Sequence, residues 1–411
     1  MNEPSDLELA EFRDGVRAFL HEQAPQAPEF KLPDSFMEVG SDSQFEYLRD
    51  WQAKVYAAGY LGLSWPKEYG GHGLPGAFQR IVDVEMAIAR VPFMVNVIGL
   101  FWAGPTILKL GSEVQKQRYI QKILSAEEIW CQGFSEPDHG SDLASARTTA
   151  KRDGEHYVLN GTKTWTSLGA YAQHMILLAR TDSSGLEGAN AASARGKYQG
   201  LSFFLAPMRI PNVTTSKIRK MTGEHGFTET HFEDARVPAS CLLGREGEGW
   251  SVAMTVLMFE RGAEGGQAGG LAMVPLRVEQ VVELARTAKR DGRPALEDPA
   301  IRDGLVRFAI EERALGASVL RSRNPALAGP RPFAVPMMMK LRMSEFRRRL
   351  CAFAVHVQGS NANLYVGDPG ALSDGDWQRG YMNAFSATIG GGTSEIQHNI
   401  LGERMLGLGK G

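Results

Sequence analysis

Between Ile129 and Pro238 the hydrophobic period of this chain changes from that of a helix to that of a strand, and after Gly247 it changes back. A helix must bury a stripe that repeats every 3.6 residues and a strand a face that repeats every two, so the two textures belong to different packing units. Before the change, Leu7, Phe12, Val16 and Leu20 fall roughly at helical spacing, and QFEYLRDWQAKVYAAG and FQRIVDVEMAIAR continue the pattern. Ser112 with Gln115 matches a capping box opening a helix that runs to about Leu124. Within the changed section, TTAKRDGEHYVLNGTKTW reads as strand, Asp-Gly turn, strand. HMILLAR and LSFFLAP are short β-branched or aromatic runs, and THFEDARVP closes the series. Afterwards WSVAMTVLMFERGAE, the 298–322 stretch and the Met-rich 333–357 stretch read as long helices, which pack as a bundle. The expected fold is α+β in three parts: an N-terminal helical domain (1–125), a small middle β domain (126–242) and a C-terminal four-helix-bundle domain (243–411). A length of 411 residues suits two to three domains.

Bulk properties exclude several classes. With 45 basic and 47 acidic residues the net charge is −2, which argues against a nucleic-acid binder or a polybasic membrane anchor. The three cysteines, Cys131, Cys241 and Cys351, form no CxxC pair, which fits a reducing, cytoplasmic setting without disulfides or a zinc site. No basic region followed by an apolar stretch opens the chain, so no signal peptide is expected. The uncharged run from Val91 to Leu108 approaches the length of a membrane span. Pro92, Asn96, Gly99, Gly104 and Pro105 interrupt it, and buried helix segments are the better reading. SSGLEGANAASARG (183–196) reads as a surface loop joining two strands. His72, His139, His225 and His231 show no metal-ligand spacing, and no GxGxxG follows a strand.

Three stretches carry chemistry. WCQGFSEPDHGSD is apolar, then turn-forming, then small and polar. Read blandly, it is a strand leaving the core. Read functionally, Phe134, Ser135 and Ser141 offer backbone and hydroxyl donors suited to a flavin ring and a pyrophosphate. NGTKTWTS puts Trp165 and Ser167 two residues apart, hence on one face of a strand, as a stacking surface and a hydroxyl. Taken alone, Trp165 reads more often as a core aromatic; beside the first motif, flavin packing is the better reading. GGGTSEIQ is a glycine run entering a helix, with Ser394 and Gln397 spaced as a capping box. It is either a plain helix start or a place where backbone approaches a ligand closely.

One carboxylate stands out. Glu260 follows Ala253, Val256 and Leu257 on its own helical face. A carboxylate on an apolar stripe has a raised pKa and suits a general base; the alternative is a solvated or cation-paired helix glutamate. Glu264, one turn further, could substitute, and Glu136 reads as structural.

Together these stretches resemble the acyl-CoA dehydrogenase family, and the resemblance covers nearly the whole chain. It implies the same α, β, α order, FAD as cofactor, an acyl-CoA substrate, and an electron-transfer flavoprotein as electron acceptor. It also implies a homodimer or homotetramer and a place in lipid β-oxidation. By position it implies Ser135 at the flavin edge, Ser141 at phosphate, and Ser167 near flavin N5. It further implies Thr393 and Glu395 on the cofactor, and Arg286 as the pyrophosphate arginine. Many members carry the catalytic glutamate just before Gly-Thr, where this chain has Gly391. A minority, including isovaleryl- and long-chain-type enzymes, carries it in a Leu-x-x-Glu-Arg helix. Leu257-Met258-Phe259-Glu260-Arg261 with Gly391-Gly392-Thr393 is similar to that minority. The resemblance therefore implies Glu260 as base, the Gly391 amide as a donor to the thioester oxygen, and Arg261 near the CoA moiety. The chain departs from the family in Asp138-His139-Gly140, in RTAKRDGRP and in QGSNAN. These departures keep two other readings open: a non-catalytic partner in a heteromeric dehydrogenase, and a flavin oxidase or monooxygenase on the same fold.

Overall fold

Side-chain caps set the first helices. In the computed structural model, which describes residues 4–184, 196–261, 276–322, 324–327 and 334–409, the N-terminal section forms α1 (Asp6–Gln23), α2 (Asp42–Ala57), α3 (Gly76–Ala89), α4 (Gly104–Leu110) and α5 (Glu113–Leu124). Ser112 closes the expected box: its Oγ accepts from Gln115 N at 3.2 Å, and its own N donates to Gln115 Oε1 at 3.0 Å. The stripe on α1 is narrower than its spacing implies. Val16 and Leu20 are buried and Leu9 and Phe12 pack partly against the core, but Leu7 is 68% exposed.

The Val91–Leu108 run is buried as expected, but only its second half is helical. Its first part has no regular secondary structure and is anchored by Asn96, which is fully buried. Asn96 Nδ2 donates to Ile123 O and Glu128 O, Trp130 N donates to Asn96 Oδ1, and Asn96 N donates to Gln52 Oε1. A buried amide costs stability unless its donors and acceptors are met, and here they are. Among the described residues no helix is long and apolar enough to cross a membrane.

The middle section forms β1 (Trp130–Gly133), β2 (Thr149–Asp153), β3 (His156–Ser167), β4 (His174–Arg180), β5 (Leu201–Pro207), β6 (Val213–Ile218) and β7 (Phe227–Pro238). They pair in the order β1-β4-β2-β3-β7-β6, with β5 on β4. The uninterrupted apolar runs of β4 and β5 follow from burial on both faces. Met175, Leu177, Phe204 and Ala206 join a core with Tyr157 and Val237. Ile176, Leu178, Phe203 and Leu205 join the helical core of Leu48, Trp51 and Ile123. That second core also takes Val252, Ala253 and Val256 of α6 (Gly249–Glu260). Phe203 and Phe204 are fully buried, each worth about 1.5–3 kcal/mol of transfer free energy.

The described chain divides into two compact units, the first ending at Glu260 and the second containing Arg261 and the residues from 276 on. The second unit holds α7 (Val278–Thr287), a two-stranded ribbon of β8 (Lys289–Arg290) and β9 (Arg293–Pro294), α8 (Pro299–Ser322), α9 (Ala334–Val357), α10 (Asp376–Ile389) and α11 (Ser394–Ile400). Val281, Leu284, Ile301, Leu350 and Val357 form its core. The sequence reading missed the ribbon, although its Asp291-Gly292 turn is the usual hairpin signal, with both φ values positive. Most of the 183–196 loop, and Glu264, lie outside the described residues.

Candidate active site

In the first unit, two motifs thirty residues apart in sequence are bonded to each other. Thr164 N donates to Ser135 O at 2.9 Å. The neighbouring Lys163 is fully buried, and its Nζ donates to Phe134 O at 3.1 Å and Glu136 Oε1 at 2.8 Å. Glu136 also accepts from Arg147 N and Thr148 N at 2.7 and 2.8 Å. Burial alone would raise the Glu136 carboxyl, but the Lys163 charge and these hydrogen bonds outweigh it and bring it down to about 2. Burial draws Lys163 below its ordinary value while Glu136 pulls it back. Glu136 is thus a buried structural carboxylate.

Around this pair, Phe134 is buried edge-to-face on Phe203, Ser135 is half-buried and Ser167 is 8% exposed. The regular strand face expected for Trp165 and Ser167 does not form. A bulge between Lys163 and Thr166 interrupts the pairing of β3 with β7, and Trp165 sits in it at φ 57°. The extra residue breaks the two-residue alternation. Trp165 is left 58% exposed, with Phe227 edge-on at 5.8 Å.

Ser141 is exposed on the loop after the tight Glu136–His139 turn. Arg180, 1% exposed at the end of β4, holds that loop in place. Its guanidinium donates to the carbonyls of Ala144, Ala146, Lys197 and Gln199 at 2.7–3.2 Å. Lys197 Nζ adds a bond to Asp142 Oδ1 at 2.7 Å. Sequence reasoning missed Arg180; a lone arginine closing an otherwise apolar strand was its only signal. The same loop contains His139 Nε2, a buried nitrogen without a partner among the described residues.

These features fit a flavin. Trp165, exposed and held at positive φ, offers a flat face, Ser135 and Ser167 offer hydroxyls, and His139 Nε2 is an unsatisfied buried nitrogen, groups of the kind a flavin nucleotide would use. Glu260, the last residue of α6, is half-buried, and Val252, Ala253, Val256 and Phe259 on the same helix are buried. Leu257 packs partly against the helical core.

In the second unit, Gly391 and Gly392 turn the chain at φ 67° and 92° between α10 and α11. The cap of α11 lies one residue earlier than the spacing implied. Thr393 Oγ1 accepts from Ile396 N at 3.2 Å. Ser394 Oγ instead donates to Glu345 Oε1 at 2.6 Å, and Gln397 Nε2 to Gly391 O at 2.9 Å. Ser394 thus commits its hydroxyl hydrogen to a carboxylate of α9 and Gln397 its amide hydrogens to the glycine turn, and Thr393 alone supplies the side-chain cap. Arg261 Nε donates to the same Gly391 O at 3.4 Å, and Lys340 Nζ to Gly392 O. Glu395 is exposed; a bond to its own backbone and one to Thr393 hold its carboxyl below the usual range. Arg286 lies in the last turn of α7, 58% exposed, beside Glu283 at 3.3 Å.

Comparison with known proteins covers all three sections. Residues 6–127, 131–235 and 247–406 match the N-terminal, middle and C-terminal domains of acyl-CoA dehydrogenase. The acyl-CoA dehydrogenase IpdE1 of Mycobacterium tuberculosis is 37% identical over 407 residues, covering 98% of each chain. A chain of the ChsE4-ChsE5 complex from Mycobacterium tuberculosis superposes with a TM-score of 0.75 at 27% identity, covering 100% of both chains. The Tcur3481-Tcur3483 steroid ACAD gives 0.74 at 27% identity, again over 100% of both chains. The α, β, α architecture and these matches have one consequence: the chain belongs to the acyl-CoA dehydrogenase family, whose members are FAD flavoproteins.

Proposed function

We propose that this chain is an FAD-dependent dehydrogenase that converts an acyl-CoA thioester to the trans-2-enoyl-CoA, with Glu260 removing the α proton. Glu260 carries the reading. It ends a helix in which Val252, Ala253, Val256 and Phe259 are buried, and a carboxylate beside such a face is placed to meet an apolar acyl chain. FAD, when bound, supplies the two-electron acceptor for the β hydride. Trp165 stacks on the ring, and Phe134, Ser135 and Ser167 fix its edge. Ser141 meets a phosphate of cofactor or substrate, Arg261 the CoA moiety, and Arg286, Thr393 and Glu395 the remainder of the cofactor. The Gly391 N–H bonds the thioester oxygen and stabilises charge as the α proton leaves. The functional segments are 1–125, 126–242 and 243–411. The setting is cytoplasmic lipid β-oxidation, with a homodimeric or homotetrameric protein and an electron-transfer flavoprotein as acceptor.

The test is an anaerobic panel of acyl-CoAs, steroid-derived thioesters included, followed by flavin absorbance. The yellow protein should bleach with its substrate. Glu260→Gln should keep its FAD and bleach about 10²- to 10⁴-fold more slowly; an undiminished rate would remove Glu260 as base. Stoichiometric peroxide in air without an added carrier would point to an oxidase.

Likeness to chains named as two-component assemblies favours one second reading, a partner subunit of a heteromer. It requires that the chain alone show no turnover. Stoichiometric FAD and turnover by the homo-oligomer would eliminate it.

A further inference from the structure

We propose that Gln397 and Lys340 are positioning residues that set the direction of the Gly391 amide; the inference rests on the role given to Gly391 above. A glycine pair has no Cβ to limit peptide rotation, so the direction of its N–H groups must come from what its neighbours hold. On one side the 389–390 peptide is fixed by the end of α10, where Gly390 N donates to Ser386 O at 2.8 Å. On the other side, Gly391 O accepts from Gln397 Nε2 at 2.9 Å, and Gly392 O accepts from Lys340 Nζ. Arg261 Nε adds a longer bond to Gly391 O at 3.4 Å. With both flanks pinned, the 390–391 peptide has little room to rotate, and its N–H keeps one direction.

Gln397 is suited to this task. It is fully buried, on the first turns of α11, and its Oε1 has no hydrogen-bond partner among the described residues. A buried amide normally satisfies both ends, so this one is kept at some cost to stability. The end that is bonded grips the glycine turn. The fit is close: a Cβ at Gly392 would lie 2.9 Å from Gln397 Nε2. Ser394 Oγ on Glu345 fixes the start of the same helix. Lys340 reaches the turn from α9, a separate element, so the two carbonyls are held by independent supports.

Gln397→Met and Lys340→Met should each be compared with the full-length holoprotein. Mass-spectrometric hydrogen exchange of a peptide spanning 389–396 should quicken by about tenfold or more in each variant as the turn loosens. The kcat should fall roughly 10- to 100-fold with KM and FAD content nearly unchanged, less than the 10²–10³-fold cost of deleting an oxyanion donor outright. The Raman carbonyl band of a bound enoyl-CoA should shift toward its free value. Lys340→Arg, which keeps a cationic donor, should retain most of the wild-type kcat. Unchanged exchange in both variants overturns the pinning. Faster exchange with unchanged kcat and carbonyl band overturns the catalytic role. If Gln397→Met does not fold, Lys340→Met reads out the same two quantities. If the wild type reduces its flavin with no acyl-CoA, the dehydrogenase reading fails, and exchange alone then decides the pinning.

Discussion

The two units place charge at different depths. Alongside exposed pairs such as Arg49–Asp50, the first buries Lys163, Arg180, Glu136 and Glu128, each 8% exposed or less. Of these, Lys163, Arg180 and Glu136 also bond backbone atoms of the loops that carry Phe134, Ser135 and Ser141. In the second unit Arg379 is buried, but the ion pairs among the described residues lie near the surface. Glu311 with Arg342 and Arg349, and Glu345 with Arg348, keep arginine side chains 36–55% exposed. Burying a charge is costly unless its partners are complete, so the first unit gains precise loop placement at the expense of tolerance to change. Exposed pairs are screened and contribute little. Position, not the number of ion pairs, decides what each is worth.

The sharpest way to break this contrast is Lys163→Met. It leaves Glu136 buried beside two backbone amides without its cation, and should cost about 3–5 kcal/mol in denaturant unfolding. Adding Glu136→Gln should recover at least half of that loss. A single-variant cost below about 1 kcal/mol would show that the pair is as dispensable as a surface one.

Acid provides the next test. Burial opposes ionisation of Glu128, but His174 and Arg118 hold its carboxyl at about 2, as Lys163 holds Glu136 at about 2. Both folded values are depressed from 4.5. Their stabilisation is therefore present above about pH 4.5 and is lost as pH falls toward 2. After allowance for solvent screening, each should contribute about 2 kcal/mol. Denaturation midpoints measured at pH 6, 4 and 3 should fall in that order, and Glu136→Gln should flatten part of the slope.

The smallest effect is expected in the second unit. Arg342→Ala removes one exposed partner of Glu311 while Arg349 remains at 2.6 Å. It should change stability by about 0.5 kcal/mol or less, an effect that disappears in high salt. A loss above about 2 kcal/mol would erase the distinction between the units.

How much of this was legible in the sequence follows the range of each interaction. The Ser112 box, the Asp-Gly turn between β2 and β3, and the apolar runs within β4 and β5 are set by residues close in sequence, and they formed where expected. Longer-range features were not legible. The bond from Lys163 to Glu136 spans 27 residues and the Arg180 bonds reach up to 36. The bulge at Trp165 depends on how β7 pairs with β3. The cap moved from Ser394 to Thr393 because Ser394 met Glu345 from another helix. Motif spacing identified which residues to examine, while their directions depended on neighbours that no local pattern encodes.

Of the seven tryptophans, Trp165 alone is exposed. Its indole should therefore emit at the red edge of the intrinsic fluorescence spectrum, apart from buried Trp51 and Trp130. A flat yellow chromophore laid against that ring would quench the red edge first. The bulge thus gives the molecule a built-in optical reporter, and a titration of flavin-stripped protein could be followed without any label.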